Sequence, residues 1–104
     1  MARAKPALSP ELLATAAEIM KAIAHPVRLK ILEILERVGE ANVTTLVDKT
    51  GASQPVVSQQ LSRLRHSGVL GCRREGTSMY YRVARPEVLG VLECARRMGG
   101  RRRS

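Results

Sequence analysis

Residues 53–67, SQPVVSQQLSRLRHS, constrain the fold of this chain more than any other stretch. Val57, Leu61 and Leu64 recur at helical spacing, which predicts a helix with one apolar stripe facing a core. Its other faces carry Gln54, Ser58, Gln59, Ser62, Arg63 and Arg65. Polar outer faces of this kind also occur on ordinary amphipathic helices, so the neighbouring segments must decide what this helix does.

A glycine-containing turn at residues 50–52 precedes this helix, and residues 44–49 before it are long enough for about two helical turns. Helix, tight turn and second helix form a helix-turn-helix. Two residues, Ser53 and Gln54, are alternative N-caps for the second helix. Ser53 is a good N-cap, but Pro55 disfavours helical backbone at Gln54 and suits a first helical position. In both alternatives the N-terminal end is exposed, as in a recognition helix that meets base edges.

Two β-like runs, residues 69–74 and 77–83, follow the helix on either side of Glu75-Gly76. This pattern predicts a β-hairpin. The predicted tip carries Arg73, Arg74, Thr77 and Ser78. A basic hairpin directly after a helix-turn-helix is a wing, whose arginines reach phosphates or the minor groove. The alternative is a solvated hairpin whose charges protect an edge strand.

Three more helices are predicted, over residues 9–24, 26–38 and 86–98, each with a serine or proline at its start. Residues 41–43 favour a short strand, and two glycines after residue 98 are expected to end the last helix. The predicted fold class is mainly α (α+β), a winged helix-turn-helix in the order α-α-α-α-β-β-α that dimerises through its first and last helices.

The length of 104 residues suits a single domain, which we assign to residues 9–98 as a DNA-binding and dimerisation domain. Residues 1–8 are predicted to form a disordered basic arm, and residues 99–104 a basic arginine-rich tail. The chain contains no Phe and no Trp, so its core must be aliphatic.

The first and last helices carry broader apolar faces than one contact within the chain needs. The residues predicted to form a dimer interface are Leu12, Ala16, Ile19, Met20, Leu89 and Leu92. A broad apolar face on a terminal helix indicates a partner chain. We therefore expect two copies to pack through these helices across a two-fold axis.

The charge balance favours a polyanionic partner. The chain has 18 Lys and Arg against 9 Asp and Glu, a net charge of +9, with a pI of about 10.8. This excess points to nucleic acid before membrane. Seven of the basic residues are Arg3, Lys5, Arg96, Arg97, Arg101, Arg102 and Arg103, and without them eleven remain against nine, a net +2. The terminal segments either solubilise the chain or add phosphate contacts.

Several classes of protein are excluded by the sequence. No apolar run approaches ~18 residues and the N-terminus does not resemble a signal peptide, so we expect no membrane association and a cytoplasmic location. Two cysteines are too few for a disulfide scaffold. His25 and His66 lack a second ligand at helical spacing, which argues against metal. The chain has no nucleophile motif and no glycine-rich phosphate loop, so neither an enzyme nor a cofactor site is expected.

Taken together, these segments resemble the ArsR/SmtB family of bacterial winged-helix repressors. The matching stretches are AIAHPVRLKIL (residues 22–32), SQPVVSQQL (53–61), LR (64–65), SGVL (67–70), RREG (73–76) and YYRV (80–83). The resemblance covers about residues 12 to 98, and its specificity lies in the order and spacing of the pieces. It implies a homodimer that represses transcription by binding double-stranded DNA at an imperfect palindrome. In many members of the family an effector releases the DNA.

The resemblance and the chemistry of the side chains select the same DNA-binding residues. They are Ser53, Gln54, Val56, Ser58, Gln59 and Arg63 on the helix, and Arg73, Arg74 and Thr77 on the wing. Glutamine amides pair with adenine in the major groove, serine hydroxyls suit phosphates or bases, and a valine can meet a thymine methyl. The half-sites are expected to lie about 34–36 Å apart.

The sequence departs from the metal-sensing members at both of their usual sites. Where one site has Cys-x-Cys-Asp, this chain has Asn42, Thr44 and Thr45, which cannot replace thiolates for soft metals. Where the other site has Asp and His in the last helix, this chain has Arg85, Glu87, Met98 and Arg101. We therefore expect no metal site.

A thiol or metalloid sensor is a second possibility. Persulfide-sensing relatives pair cysteines of the second and last helices, and the second-helix position here is Glu33. Cys94 lies in the last helix, next to Arg96 and Arg97, and Cys72 lies in the first strand of the wing, roughly opposite Met79. The two cysteines are either a thiol sensor or inert.

The main functional prediction is a sequence-specific, homodimeric repressor that binds a palindromic operator. A less favoured reading is a non-specific architectural protein that coats DNA through its basic termini. A winged helix used to bind a protein partner is a further alternative, against which the Gln/Ser helix and the arginine wing argue. The sequence identifies neither the operator nor an effector.

Overall fold

A computed structural model of the chain describes residues 4–102. Residues 1–3 of the predicted arm and residues 103–104 of the predicted tail lie outside the described residues. The elements are α1 (Pro10–Ile23), α2 (Pro26–Val38), β1 (Ala41–Asn42), α3 (Val43–Thr50), α4 (Gln54–His66), β2 (Leu70–Glu75), β3 (Ser78–Val83), a 3-10 turn (Pro86–Leu89) and α5 (Gly90–Arg102). This order confirms the predicted winged helix-turn-helix, with residues 4–9 outside any helix or strand.

Side chains cap the first three helices by accepting hydrogen bonds from otherwise unpaired backbone N–H groups. Ser9 caps α1, as predicted. Asn42 Oδ1 caps α3 by accepting from the Thr45 N–H at 2.9 Å. His25 Nδ1 caps α2 by accepting from the Val27 N–H at 3.1 Å, so this histidine has a structural role at the helix boundary.

The core is aliphatic, as the lack of Phe and Trp requires. Its most deeply buried side chains are Ile31, Leu32, Leu46, Val57, Leu61, Leu64 and Val69. These come from α2, α3, α4 and the segment just before β2, so the helix-turn-helix packs directly on α2. The predicted apolar stripe of α4 is confirmed.

The three strands form an antiparallel sheet in the order β1-β3-β2. Glu75 pairs with Ser78, so the hairpin turn consists of Gly76 and Thr77. Gly76 has φ +64°, which suits glycine in a two-residue turn. The predicted turn at Glu75-Gly76 was one residue too early, because Glu75 still belongs to the ladder.

The hairpin register also corrects the predicted surroundings of Cys72. Cys72 lies opposite Tyr81, whereas Met79 lies opposite Arg74. The predicted turn lies one residue earlier than the observed one. Moving a two-residue turn by one residue shifts the cross-strand partner of each β2 residue by two positions along β3, which is why Met79 was expected where Tyr81 is found.

The last helix differs from its prediction at both ends. Residues Pro86–Leu89 form a 3-10 turn, and the α-helix begins only at Gly90. It then continues through Gly99 and Gly100 to Arg102, so the prediction that these glycines end it is wrong. A glycine ends a helix by adopting positive φ, and neither of these two does so. No helix within residues 4–102 has the length and hydrophobicity needed to cross a bilayer.

Candidate nucleic-acid interface

The exposed side of α4 carries the residues predicted to read DNA. Ser53, Gln54, Val56, Ser58, Gln59 and Arg63 are all exposed. On the opposite side, Val57, Gln60, Leu61 and Leu64 are buried. The structure therefore brings these six predicted residues together on one projecting helix, with donors, acceptors and one apolar side chain available to a ligand.

The N-terminus of α4 is capped differently from those of α1 to α3. Ser53 occupies the N-cap position and Gln54 is the first helical residue, which decides between the two predicted starts. The Ser53 side chain makes no capping hydrogen bond. Its hydroxyl and the first N–H groups of α4 are therefore available to an anion, as in helices that contact DNA phosphates.

Helical spacing divides the exposed side chains of α4 into two flanks. Val56, Gln59 and Arg63 recur at i, i+3 and i+7 and share one flank, whereas Ser58 and Arg65 recur at i and i+7 on the other. A helix lying in the major groove presents its N-terminal residues to base edges, and the later side chains on either flank can reach the two phosphate backbones. Both flanks of α4 end in an arginine.

The turn before α4 is rigidly built. Gly51 ends α3 in the left-handed conformation, with φ +75°, and its N–H donates to the Val47 carbonyl. The Thr50 hydroxyl oxygen then accepts a hydrogen bond from the Ala52 N–H at 3.2 Å. These contacts set the direction in which the chain enters α4, as the glycine in the sequence predicted.

One contact beneath α4 was not anticipated. Gln60 is 7% exposed and is the only buried polar residue within residues 4–100. Its Oε1 accepts a hydrogen bond from Arg28 Nε at 2.7 Å. The available signal was the spacing, because Gln60 lies three residues after Val57 and four before Leu64 and thus falls on the apolar stripe.

Of the two predicted wing arginines, Arg73 is engaged by carboxylates. Both carboxylate oxygens of Glu40 accept hydrogen bonds from Arg73, one from Nε at 2.8 Å and the other from a terminal nitrogen at 3.0 Å. The other terminal nitrogen of Arg73 donates to Glu75 at 2.7 Å. The guanidinium also lies 4.9 Å from the centre of the Tyr80 ring. The hydrogen bond from Arg73 lowers the pKa of Glu40, and the hydrogen bonds that Arg73 donates to Glu40 and Glu75 raise the pKa of Arg73.

Arg74 has a different environment. Successive side chains of a strand point to opposite faces, so Arg74 faces away from the side on which Arg73 meets Tyr80. Among the described residues no carboxylate lies within salt-bridge distance of Arg74. Arg74 and the turn residue Thr77 are both exposed. Of the predicted wing residues, these two are the ones whose polar groups remain available.

The two cysteines lie in separate elements. Cys72 is half-buried in β2, Cys94 is exposed on α5, and both are free thiols. Arg96, close to Cys94, bridges α5 and α2 by pairing with Glu36 at 2.7 Å and with Glu93. Its charge is therefore already matched by carboxylates.

The positions that hold metal in related sensors have other tasks here. Asn42 caps α3, and Arg85 pairs with Glu87 at 2.9 Å. Within residues 4–102, no three His, Cys, Asp or Glu side chains are grouped closely enough to hold a metal ion.

The residues predicted to form a dimer interface fall into two groups. On α1, Leu12 is 52% exposed and Met20 is 60% exposed, and Ala16 and Ile19 are half-buried. Near the C-terminus, Leu89 is half-buried, and Leu92 is only 7% exposed because it packs in the core of its own chain. Met98, which is 60% exposed, is the large apolar side chain that α5 leaves open.

Comparison with known proteins places this architecture among bacterial regulators. A family model described as "Bacterial regulatory protein, arsR family" matches residues 25–70. An uncharacterized HTH-type transcriptional regulator of Mycobacterium tuberculosis, Rv0081, is 38% identical over 82 residues, which are 79% of this chain and 72% of that protein. The transcriptional repressor PagR of Bacillus anthracis is 38% identical over 77 residues, 74% of this chain and 77% of PagR.

Solved structures extend the likeness beyond the matched segment. The crystal structure of PagR has a TM-score of 0.75 at 34% identity and covers 84% of this chain and 99% of that chain. The antimony-specific transcriptional repressor AntR has a TM-score of 0.84 at 28% identity and covers 95% of this chain and 89% of that chain. The similarity therefore includes α1, the hairpin and most of α5, in addition to the helix-turn-helix.

Proposed function

Because the chain belongs to the ArsR family of bacterial regulatory proteins, we propose that it is a homodimeric transcriptional repressor that binds a palindromic operator in double-stranded DNA. The observation that carries the proposal is the exposed side of α4, where six polar, apolar and basic side chains project from a helix held by a buried stripe. Repressors are named among its relatives.

In this proposal α4 lies in the major groove with its N-terminus towards the bases. Gln54 and Gln59 read adenine through their amides, Val56 contacts a thymine methyl, and Ser53 and Ser58 bind phosphates or bases. Arg63 contacts a phosphate beside them, and the wing adds Arg74 and Thr77. Arg73 supports the wing instead of touching DNA, since its guanidinium is already held by Glu40 and Glu75.

The dimer of this proposal forms through the exposed Leu12, Leu13 and Met20 of α1 together with Met98 of α5. Such large apolar side chains cost free energy in water, and a second copy of the chain would cover them. A two-fold axis would then place two copies of α4 about one helical turn of DNA apart.

Selection from a library of randomised duplexes, followed by competition titration, tests the proposal. A repressor of this class is expected to enrich an inverted repeat and to prefer it to random DNA of equal length by ~10³ or more at physiological salt. The matched control is the same titration with the two half-sites scrambled.

An architectural protein would behave differently. Its affinity would be nearly independent of sequence, because it would come from phosphate contacts alone. Equal binding to the selected and scrambled duplexes would therefore overturn the proposed function in favour of non-specific coating.

Thiol sensing by Cys72 and Cys94 stays a prediction, and the same titration examines it. Repeating it after treatment with a persulfide donor, for the wild type and for Cys94→Ser, shows whether operator affinity depends on a thiol. Loss of affinity in the wild type alone would add an effector to the repressor, whereas unchanged affinity in both proteins would make Cys94 inert.

A further inference from the structure

The contact between Arg28 and Gln60 joins three helices through one guanidinium group. Arg28 lies on α2, and its Nε donates to Gln60 Oε1 of α4 at 2.7 Å. One of its terminal nitrogens donates to the Ala22 carbonyl at 2.7 Å and to the Lys21 carbonyl at 3.3 Å, at the end of α1. The same planar group therefore satisfies the Ala22 carbonyl at the C-terminus of α1 and a buried amide of α4, whereas the Lys21 carbonyl also accepts from the Ala24 N–H at 3.4 Å.

The direction of this contact matters because the remaining packing of α4 is apolar. Val57, Leu61 and Leu64 hold the helix against the core, but apolar contacts have little directional preference. A hydrogen bond to a planar guanidinium depends strongly on angle and distance. The Arg28–Gln60 bond is therefore the contact best suited to fix the rotation of α4 about its own axis.

Gln60 also lies next to the residues that would read DNA. It follows Gln59 directly and lies one helical turn after Val56. Recognition side chains must be held to within about 0.5 Å and 10–20° of their productive positions. A small rotation of α4 would move both of these side chains relative to the base edges.

We propose that Arg28 is a positioning residue that ties the orientation of the recognition helix α4 to the proposed dimerisation helix α1. This inference rests on the proposed function and deepens it. Since α1 would join the two copies, the bond relates each α4 to the two-fold axis. The preference for one spacing between half-sites then depends on Arg28 and Gln60, although neither residue touches DNA.

The test measures spacing preference with three duplexes carrying the selected half-site. One has the selected spacing, one has a single base pair inserted at its centre, and one carries a single half-site. The insertion turns one half-site by about 35° relative to the other. Gln60→Leu fills the buried position with an apolar side chain of similar size, whereas Gln60→Glu keeps an acceptor for Arg28 and strengthens the bond by its charge.

We expect Gln60→Leu to lose about tenfold of the preference for the selected spacing, the fold-change that corresponds to a hydrogen bond with a charged partner. Its affinity for the single half-site is expected to stay within about twofold of the wild type, because the DNA-contacting side chains are unchanged. Gln60→Glu is expected to bind all three duplexes more weakly through its added negative charge, and to retain the spacing preference.

A Gln60→Leu protein that keeps the full spacing preference would overturn the inference, as would a Gln60→Glu protein that loses it. Thermal unfolding of each variant shows whether the fold is intact. If Gln60→Leu does not fold, Arg28→Lys takes its place, since an ammonium cannot reproduce the forked geometry that serves α1 and α4 together. A wild-type protein that binds all sequences equally would instead overturn the proposed function, and this inference with it.

Discussion

Arg73 and Arg74 are adjacent arginines with different electrostatic surroundings. Arg73 is held by two carboxylates and lies over Tyr80, whereas Arg74 is exposed on the other face of β2. A guanidinium that already has carboxylate partners would have to give them up in order to bind a phosphate. Of these two arginines, Arg74 is therefore the one that has no carboxylate partner among the described residues.

Arg74→Ala is expected to weaken binding to all sequences and to make the dependence of log K on log salt concentration shallower by about one unit. The reason is the loss of one phosphate contact and of the counterion released with it. Titration at several salt concentrations measures both quantities. Arg73→Ala is the matched comparison, and an equal change of slope in both variants would contradict the distinction between the two arginines.

Gln59→Ala is expected to cost about 1–3 kcal/mol at the operator and to relax base preference at the position that Gln59 contacts. Affinity for random DNA should change little, because an amide that reads a base contributes little to phosphate binding. Parallel titrations of operator and random duplex check this, with Thr15→Ala on α1 as a neutral exposed control. An equal loss on both duplexes would remove Gln59 from the base-reading set.

Among the elements, the hairpin depends on a contact outside itself. Glu40, just before β1, binds Arg73 of β2 with both carboxylate oxygens. The strand between them in the sheet is β3, so this ion pair spans all three strands. The middle of the wing is therefore tied to the start of the helix-turn-helix.

This ion pair predicts a pH dependence of hairpin stability. The folded protein lowers the pKa of Glu40, chiefly through the hydrogen bond from Arg73. The stabilisation is therefore fully present above the ordinary pKa of a glutamate and is lost as the pH falls through the lowered value. Thermal unfolding is expected to separate the wild type from Glu40→Gln near pH 7 and to bring the two closer together near about pH 3. A constant difference across that range would contradict the assignment.

Elements with a strong periodic or capping signal could be predicted from the sequence. The stripe of α4, the Ser9 cap and the glycine before α4 all act locally, so their residues were sufficient to place them. The turn of the hairpin was misplaced by one residue, because both positions fit a glycine-containing turn and only the cross-strand pairing decides. The end of α5 was misplaced because glycine is permitted inside a helix at a cost of about 1 kcal/mol.

The exposed residues of the candidate site could be predicted from the sequence, whereas the contacts that hold α4 and the wing in place could not. Exposed polar residues of α4 follow from helical periodicity once the buried stripe is known. Glu40, the distant partner of Arg73, lies 33 residues away along the chain, and Arg28, the partner of Gln60, lies 32 residues away. Such contacts depend on how the elements pack, which local patterns do not specify.

For the molecule as a whole, the exposed apolar face of α1 predicts how the proposed dimer can be separated. Met20→Glu places a charge on that face, and it is expected to weaken the dimer by tenfold or more because the carboxylate would lose its hydration in the interface. Sedimentation equilibrium measures the dissociation constant. Ala14→Glu, exposed on the other side of α1, is the control. Equal association of the two variants would place the dimer interface elsewhere.

Asn42 couples the opening of the wing to the opening of the helix-turn-helix. Its backbone pairs with Tyr80 of the wing, while its side chain holds the first turn of α3 at Thr45. An opening that lifts β1 from the sheet therefore also releases the cap of the helix-turn-helix. The two parts should behave as one cooperative unit. The N–H of Tyr81, which lies opposite Ala41 and faces β1, and the N–H of Thr45 should therefore exchange with solvent at closely similar opening free energies.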